Sequence, residues 1–371
     1  MKNFSYRIVT DDVHGPIAGI LKFFLWILSF IYLALVTAAA WLYRSGILKQ
    51  YRLGRPVVSV GNITVGGTGK TPLVVKIAQI YKQNKLKPVI LTRGYMGRGV
   101  AGHNKQSDEA AMMREILPDV PILSGADRIK NAEQFLKNNP ADVFILDDGF
   151  QHWRLARDLD IVAIDATDPW GNGRLLPRGI LREPLAALRR ANLLILTKVD
   201  LGQKQMDLIR NRLAAIGCAR QLIETVHRPA RLIDLKTGMS RELETIAGQR
   251  VCAVCSLGAP AAFAATLTQL GAKIQKAFNF ADHYVYNTTD IRGILEYCRR
   301  DHVGIVITTQ KDAVKLADLR DEFLPTAIGP PRGRSLWQKA GDVQLFSLHV
   351  ELTFRDDTGE NAFFKRILDF S

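Results

Sequence analysis

The sequence predicts an α/β fold: a parallel sheet with helices on both faces, a second and smaller α/β domain after it, and an N-terminal membrane helix before it. Three observations carry this. Short apolar runs alternate with helical stretches from Pro56 onward, which is how a parallel sheet wrapped by crossover helices reads. A glycine-rich loop separates the first of these runs from the helix that follows it. Finally, Phe23 to Tyr43 carries no charged residue.

That uncharged segment comes first in the chain. As a helix it spans roughly 30 Å, enough to cross a hydrocarbon core. Trp26 near one end and Trp41 with Tyr43 near the other stand where interfacial aromatics belong. Arg44, Lys49, Arg52 and Arg55 follow it, against Lys22 just before, so the positive-inside bias puts everything after Arg44 in the cytoplasm. The alternatives are a helix lying in the membrane interface or one buried in a soluble core. The segment is too long, and too far from the N-terminus, for a simple cleaved signal peptide.

The strand-like runs are Pro56-Val60, Pro88-Leu91, Val143-Leu146, Ile161-Ile164 and Leu193-Leu196. Their near-continuous Val, Ile and Leu content fits strands buried on both faces. A second series starts near Val251, with runs at Gly304-Ile307 and Val343-Leu348, after a polar, irregular stretch from about Arg228 to Gly248. The expected division is an anchor over 1–50, a nucleotide-binding domain over 51–227 and a second α/β domain over 228–371.

Composition narrows the partners. With 47% hydrophobic and 23% charged residues the chain is a folded protein. Its 50 Lys+Arg against 36 Asp+Glu leave a formal charge of +14, which suits an anionic partner. The basic residues form no stripe interleaved with aromatics, so nucleic acid is not expected, leaving phosphate or acidic lipid. Cys252 and Cys255 make a C-x-x-C, but no second pair completes a zinc site. They sit in the apolar run Val251-Cys252-Ala253-Val254-Cys255 and read as core, in a reducing compartment.

The glycine-rich loop carries the chemistry. The apolar run Val57-Val58-Ser59-Val60 leads into Thr64-Val65-Gly66-Gly67-Thr68-Gly69-Lys70-Thr71, and a helical pattern follows with Pro72 in its first turn. In this P-loop NTPase-type setting the glycines let backbone N–H groups face phosphates, and a helix N-terminus favours their charge. Lys70 is placed to reach the β- and γ-phosphates, and the Thr71 hydroxyl to ligate Mg²⁺. Thr64 stands where the generic loop has its first glycine. About 75 residues on, Val143-Phe144-Ile145-Leu146 runs into Asp147 and Asp148, the pattern of a strand whose terminal carboxylates hold the same Mg²⁺.

Further clusters follow in order: Thr92-Arg93-Gly94-Tyr95, Asp147-Asp148-Gly149-Phe150-Gln151-His152, Leu175-Leu176-Pro177 with Leu181-Arg182-Glu183-Pro184, Asp282-His283-Tyr284, and Thr308-Thr309-Gln310-Lys311-Asp312-Ala313-Val314-Lys315. Together with the loop, this order resembles the tetraacyldisaccharide 4′-kinase family of lipid A biosynthesis, from the anchor to about Lys315. The resemblance implies ATP- and Mg²⁺-dependent transfer of the γ-phosphoryl group to the 4′-hydroxyl of an acylated glucosamine disaccharide 1-phosphate, giving lipid IVA. It implies the cytoplasmic face of a Gram-negative inner membrane, with that membrane's lipid as partner; no obligate protein partner is inferred. Residue by residue, Lys70 and Thr71 match the family's loop, and Asp147 and Asp148 its carboxylate pair. Asp108 matches its catalytic Asp, His283 the His acting with it, and Arg182 an arginine near the phosphates. Asp108 and His283 lie 175 positions apart, so their pairing requires the second domain to close over the first. Gln310 stands where the family pattern has Glu.

One rival reading is a membrane-tethered GTPase or metallochaperone-type NTPase. Thr197-Lys198-Val199-Asp200 resembles the N-K-x-D base-recognition motif, with Thr in place of its Asn.

Overall fold

The structure, a computed structural model, describes residues 8, 11, 13–94, 108–219, 222–258, 260–281, 284–317 and 343–370, with the backbone alone at 108 and 317. It divides into two compact units, one of residues 2–227 with 352–371 and the other of Arg228–Glu351.

The first unit begins with α1 (Pro16–Arg44), 29 residues long. Pro16 occupies its first turn, where a missing N–H costs nothing, and Arg44 faces the negative end of the helix dipole. At 1.5 Å per residue it is about 44 Å long. It is no core helix: Ile17, Phe23, Phe24, Trp26, Ile31 and Leu35 are all exposed. Among its residues only Ala18 and Ser29 are buried. This is the surface a bilayer would cover, and α1 is long and apolar enough to cross one.

Next come β1 (Val57–Gly61), α2 (Lys70–Gln83), β2 (Pro88–Thr92), α3 (Asp108–Ile116), β3 (Ile122–Ser124), α4 (Arg128–Leu136), β4 (Val143–Asp147), β5 (Leu159–Asp165), β6 (Leu193–Thr197), α5 (Met206–Ala215) and β7 (Leu222–Asp234). Strand order in this unit is β3-β2-β4-β1-β5-β6-β7. All these pairings are parallel. Every residue of β1, β2, β4 and β6 is buried, as strands covered on both faces must be. The register sets Val60 beside Asp147, Gly61 beside Val162 and Asp165 beside Thr197. The carboxyl ends of these strands are therefore level, and loops leaving them share one edge of the sheet, where α/β proteins bind ligands.

The expected second domain over 228–371 is shorter in the structure: residues 352–371 belong to the first unit. Helix α9 (Asp357–Leu368) starts on an Asp356 cap that accepts the Gly359 N–H at 2.7 Å. It buries Phe363 and Ile367 in the cluster that holds Leu73, Val74, Ile77 and Tyr81 of α2. The Tyr81 hydroxyl donates to the Ile367 carbonyl at 3.1 Å.

The second unit contains β9 (Arg250–Cys255), α6 (Pro260–Gln269), β10 (Lys273–Asn279), α7 (Thr288–Arg300), β11 (Ile305–Thr309), α8 (Gln310–Ala317) and β12 (Gln344–Phe354), with β12 running past the boundary at 351. Its strands run β10-β9-β11-β12, all parallel. Cys252, Val254 and Val306 face one core cluster, Ala253, Ile307 and Phe346 the other. An Asn287–Asp290 capping box starts α7. The stretch read as an irregular linker is mostly ordered: β7 continues to Asp234, and Leu232 and Ile233 pair antiparallel with Arg241 and Ser240 of β8 (Ser240–Arg241). Its half-exposed residues give it polar character, which hid the strand. All four cysteines are free and buried.

Candidate active site

The phosphate loop springs from the end of β1. Thr64 is buried and forms an isolated antiparallel bridge with Leu181, while Val65 N–H donates to the Ile180 carbonyl at 2.8 Å and Arg182 N–H to the Ile63 carbonyl at 2.7 Å. These bonds fix the loop's first residues against segment 174–182, so a buried, paired Thr64 replaces a free glycine. Gly66 and Gly67 lie exposed beyond it. Gly69, at φ +77°, is the residue before α2. A Cβ there would lie 2.8 Å from His227 Cε1 and 3.0 Å from its Nε2, so glycine is required twice over. Lys70 and Thr71 open α2, whose N-terminal N–H groups face the strand-end edge.

The two carboxylates at the end of β4 have different surroundings. Asp148, at φ +51°, accepts from Arg182 Nη1 at 2.9 Å on both oxygens and pairs with Lys70 Nζ at 3.3 Å. Burial acts to raise its pKa, but the charges of Lys70 and Arg182 outweigh it and hold the carboxyl below its usual value. Asp147 is buried and accepts from the Thr92 hydroxyl at 3.2 Å. Burial, and then the charge of Glu109, push its carboxyl up to about 6, with Lys70 and Arg128 pulling the other way. A buried guanidinium completes the cluster: Arg128, 3% exposed, donates to the Asp148 carbonyl at 3.3 Å.

Behind this sits a bracing network. Gln151 Nε2 donates to the Asn62 carbonyl at 2.9 Å and to Glu183 at 3.0 Å, and its oxygen accepts from Arg182 at 3.3 Å. Glu183, 2% exposed, takes a two-pronged contact from Arg190 at 2.7 and 3.0 Å. The Arg190 guanidinium also lies 4.2 Å over the Phe150 ring. So one side chain, Gln151, ties the arginine that faces Asp148 to a buried ion pair.

On the other flank, the turn after β6 grips the same phosphate loop. Thr197 Oγ1 donates to the Thr68 carbonyl at 3.0 Å. Lys198, at φ +56°, donates from Nζ to the Gly67 carbonyl at 3.1 Å and pairs with Asp165. The buried Nε2 of His227 has no hydrogen-bond partner among the described residues. Burial, then the charge of Lys198, hold its pKa down at about 4, so the ring is neutral at physiological pH.

Helix α1 reaches this assembly through segment 174–182. The Ser29 hydroxyl donates to the Leu175 carbonyl at 3.0 Å and accepts from Arg178 N–H at 3.2 Å, and the Tyr32 hydroxyl donates to the Arg182 carbonyl at 2.9 Å. Asp11 pairs with both Arg178 and Lys22 at 2.7 Å.

Of the residues singled out from sequence, Lys70, Thr71, Asp147, Asp148 and Arg182 are thus gathered at one strand edge with the Thr64–Gly69 loop. Asp108 begins α3, its side chain outside the described residues. The charge of Glu109, the next residue of α3, raises the Asp147 carboxyl. His283 lies outside the described residues. Sequence reasoning did not find Arg128, Gln151, Arg190 or the Lys198–Asp165 pair as parts of the site. Gln151 lay within a quoted block, whereas nothing in the local pattern around Arg128 or Arg190 marks them.

A parallel sheet with a phosphate loop on β1, a carboxylate pair on the adjacent β4 and cations converging on it defines a P-loop nucleotide-dependent enzyme. Comparison with known proteins is specific. The family model for tetraacyldisaccharide-1-P 4′-kinase matches residues 21–346. The tetraacyldisaccharide 4′-kinase of Syntrophus aciditrophicus (strain SB) is 37% identical over 311 residues, 76% of this chain and 81% of that one. That of Halothermothrix orenii (strain H 168 / OCM 544 / DSM 9562) is 36% identical over 348 residues, 87% of this chain and 90% of that one. Among solved structures, LpxK from Aquifex aeolicus in complex with ATP matches with a TM-score of 0.69 at 28% identity, covering 95% of this chain and 100% of that one. The chain belongs to the tetraacyldisaccharide-1-P 4′-kinase family, and it is a kinase.

Proposed function

We propose that this kinase transfers the γ-phosphoryl group of ATP to the 4′-hydroxyl of a tetraacyldisaccharide 1-phosphate, giving lipid IVA, on the cytoplasmic face of a Gram-negative inner membrane. The observation that carries the reading is Asp148 held by Lys70 and Arg182 at the mouth of the phosphate loop, on a segment hydrogen-bonded to the apolar helix α1. A water-soluble donor and a membrane-held acceptor require that combination. The nucleotide is ATP, as in the related Aquifex aeolicus structure.

Lys70 and Arg182 both pair with Asp148. Phosphate oxygens entering the loop offer both cations a second anionic partner, and Arg182 is braced by Gln151 to stay aimed at them. These cations then stabilise charge as it moves onto the leaving β-phosphate and the equatorial oxygens. The Thr71 hydroxyl, Asp147 and Asp148 would hold Mg²⁺. Among the described residues no group of three His, Cys, Asp or Glu is gathered. One hydroxyl and two carboxylates fit a metal that takes its remaining oxygens from phosphates and water. Bound there, it would neutralise charge on the β- and γ-phosphates. A sugar hydroxyl is a weak nucleophile at neutral pH; Asp108 takes its proton as the P–O bond forms, and His283 orients Asp108 and shares that proton.

The test is transfer from radiolabelled ATP to a tetraacyldisaccharide 1-phosphate by wild type and by Asp108→Ala, His283→Ala and Lys70→Ala. Asp108→Ala is expected to lower kcat by about 10²–10⁴ while nucleotide affinity stays within a few-fold. Undiminished transfer by Asp108→Ala would reassign the base, and no labelled lipid from wild type would reject the reading.

A further inference from the structure

Helix α1 carries more than apolar surface. Ala18, Lys22, Leu25, Ser29 and Tyr32 are buried or half-buried, and the residues between them are exposed. Their spacing of four, three, four and three puts them on one stripe of the helix. That stripe meets the rest of the unit, through Lys22 to Asp11 and through Ser29 and Tyr32 to segment 174–182.

An anchor needs only apolar bulk, and Phe23, Phe24 and Phe30 supply it on the exposed faces. At position 32 a phenylalanine would anchor as well as the tyrosine, so the hydroxyl has a separate task. On an apolar helix a hydroxyl costs free energy unless it is paired. The Tyr32 hydroxyl is paired, with the Arg182 carbonyl at 2.9 Å.

Arg182 is thereby held at three points. Its N–H donates to the Ile63 carbonyl at 2.7 Å, one residue before the phosphate loop. Its guanidinium meets both oxygens of Asp148 at 2.9 Å and the Gln151 oxygen at 3.3 Å. The third point is the Tyr32 bond, and it alone of the three comes from α1. One helical turn before it, the Ser29 hydroxyl lies 3.0 Å from the Leu175 carbonyl and 3.2 Å from the Arg178 nitrogen, so α1 braces the same segment twice. An arginine side chain is long, and its reach multiplies any tilt of the peptide it leaves.

We infer that Tyr32 is a positioning residue for phosphoryl transfer. By holding the Arg182 carbonyl it sets the guanidinium where charge develops on the transferred group, which makes the apolar helix a working part of the catalytic centre. The inference rests on the charge-stabilising role proposed for Arg182 and adds the device that aims it. Misaiming such a group weakens transition-state stabilisation while the loop still binds phosphates, so the loss falls on kcat.

The experiment is a double-mutant cycle on the full chain in mixed micelles: wild type, Tyr32→Phe, Arg182→Ala and the double variant, with labelled lipid and ADP followed together. Tyr32→Phe is expected to lower kcat about tenfold, to keep the KM for ATP and for lipid within about twofold, and to have no further effect on Arg182→Ala. An unchanged kcat in Tyr32→Phe, a change confined to the lipid KM, or the same loss on both backgrounds overturns the inference. Undiminished turnover by Arg182→Ala would overturn the role of Arg182 and the inference with it. ADP without labelled lipid would overturn the lipid acceptor alone, and the cycle is then decided on ADP formation.

Discussion

Asp147 and Asp148 are adjacent in sequence and opposite in electrostatics. Asp148 gains two cations; Asp147 gains burial and the field of Glu109. Because the folded pKa of Asp147 is raised from 3.8 to about 6, its ionised form is disfavoured in the folded chain. The penalty is absent below pH ~4, accumulates between pH ~4 and ~6, and is complete above that. Asp147→Asn is therefore expected to stabilise the nucleotide-free protein by about 2 kcal/mol at pH 7.5, with the gain shrinking as pH falls through 6, while abolishing turnover. Urea melts at several pH values measure this; a pH-independent difference would contradict it. Arg182→Ala, which strips Asp148 of its two 2.9 Å contacts, is expected to lower kcat/KM by about 10²–10³, with little rescue by lysine. Steady-state kinetics decide that. Lys70, Thr71 and the Asp147–Asp148 pair were legible because each stands in a contiguous pattern whose spacing is the signal. Arg128 was not: its neighbours at the carboxylates come from β4, some twenty positions away, and only folding makes them neighbours.

At the scale of elements, segment 174–183 connects the parts. It is bonded to α1 at Leu175 by Ser29 and at Arg182 by Tyr32, Leu181 bridges Thr64, and Glu183 locks it to Arg190. Glu183→Ala leaves the Arg190 guanidinium 20% exposed and without that partner, so a loss of about 3 kcal/mol is expected in thermal or urea unfolding. Tyr32→Phe removes a single hydrogen bond and is expected to cost about 1 kcal/mol. The buried strands β1, β2, β4, β5 and β6 were readable because burial on both faces leaves continuous apolar runs. Strand β7 and helix α9 were not. The half-exposed residues of β7 gave it the look of a linker, and α9 depends on contacts with α2 some 280 residues earlier, which no local pattern encodes.

At the scale of the whole molecule, α1 is an attachment rather than a foundation. None of its residues enters the three core clusters of the first unit. Deleting residues 1–44 is therefore expected to leave nucleotide binding within a few-fold of wild type while abolishing co-flotation with anionic vesicles, whose charge complements the +14 of the chain. Loss of nucleotide binding on deletion would mean that the Ser29 and Tyr32 contacts hold up the phosphate loop itself.

The proposed reaction sends the γ-phosphoryl group to one hydroxyl of a membrane-held lipid. The direct measurement is mass spectrometry and phosphorus NMR of the lipid recovered after incubating the full chain with ATP, Mg²⁺ and tetraacyldisaccharide 1-phosphate in mixed micelles. The expected product carries one added phosphate, as a monoester on the 4′-oxygen, in equal amount to the ADP formed. ADP accompanied by inorganic phosphate and unchanged lipid would contradict it.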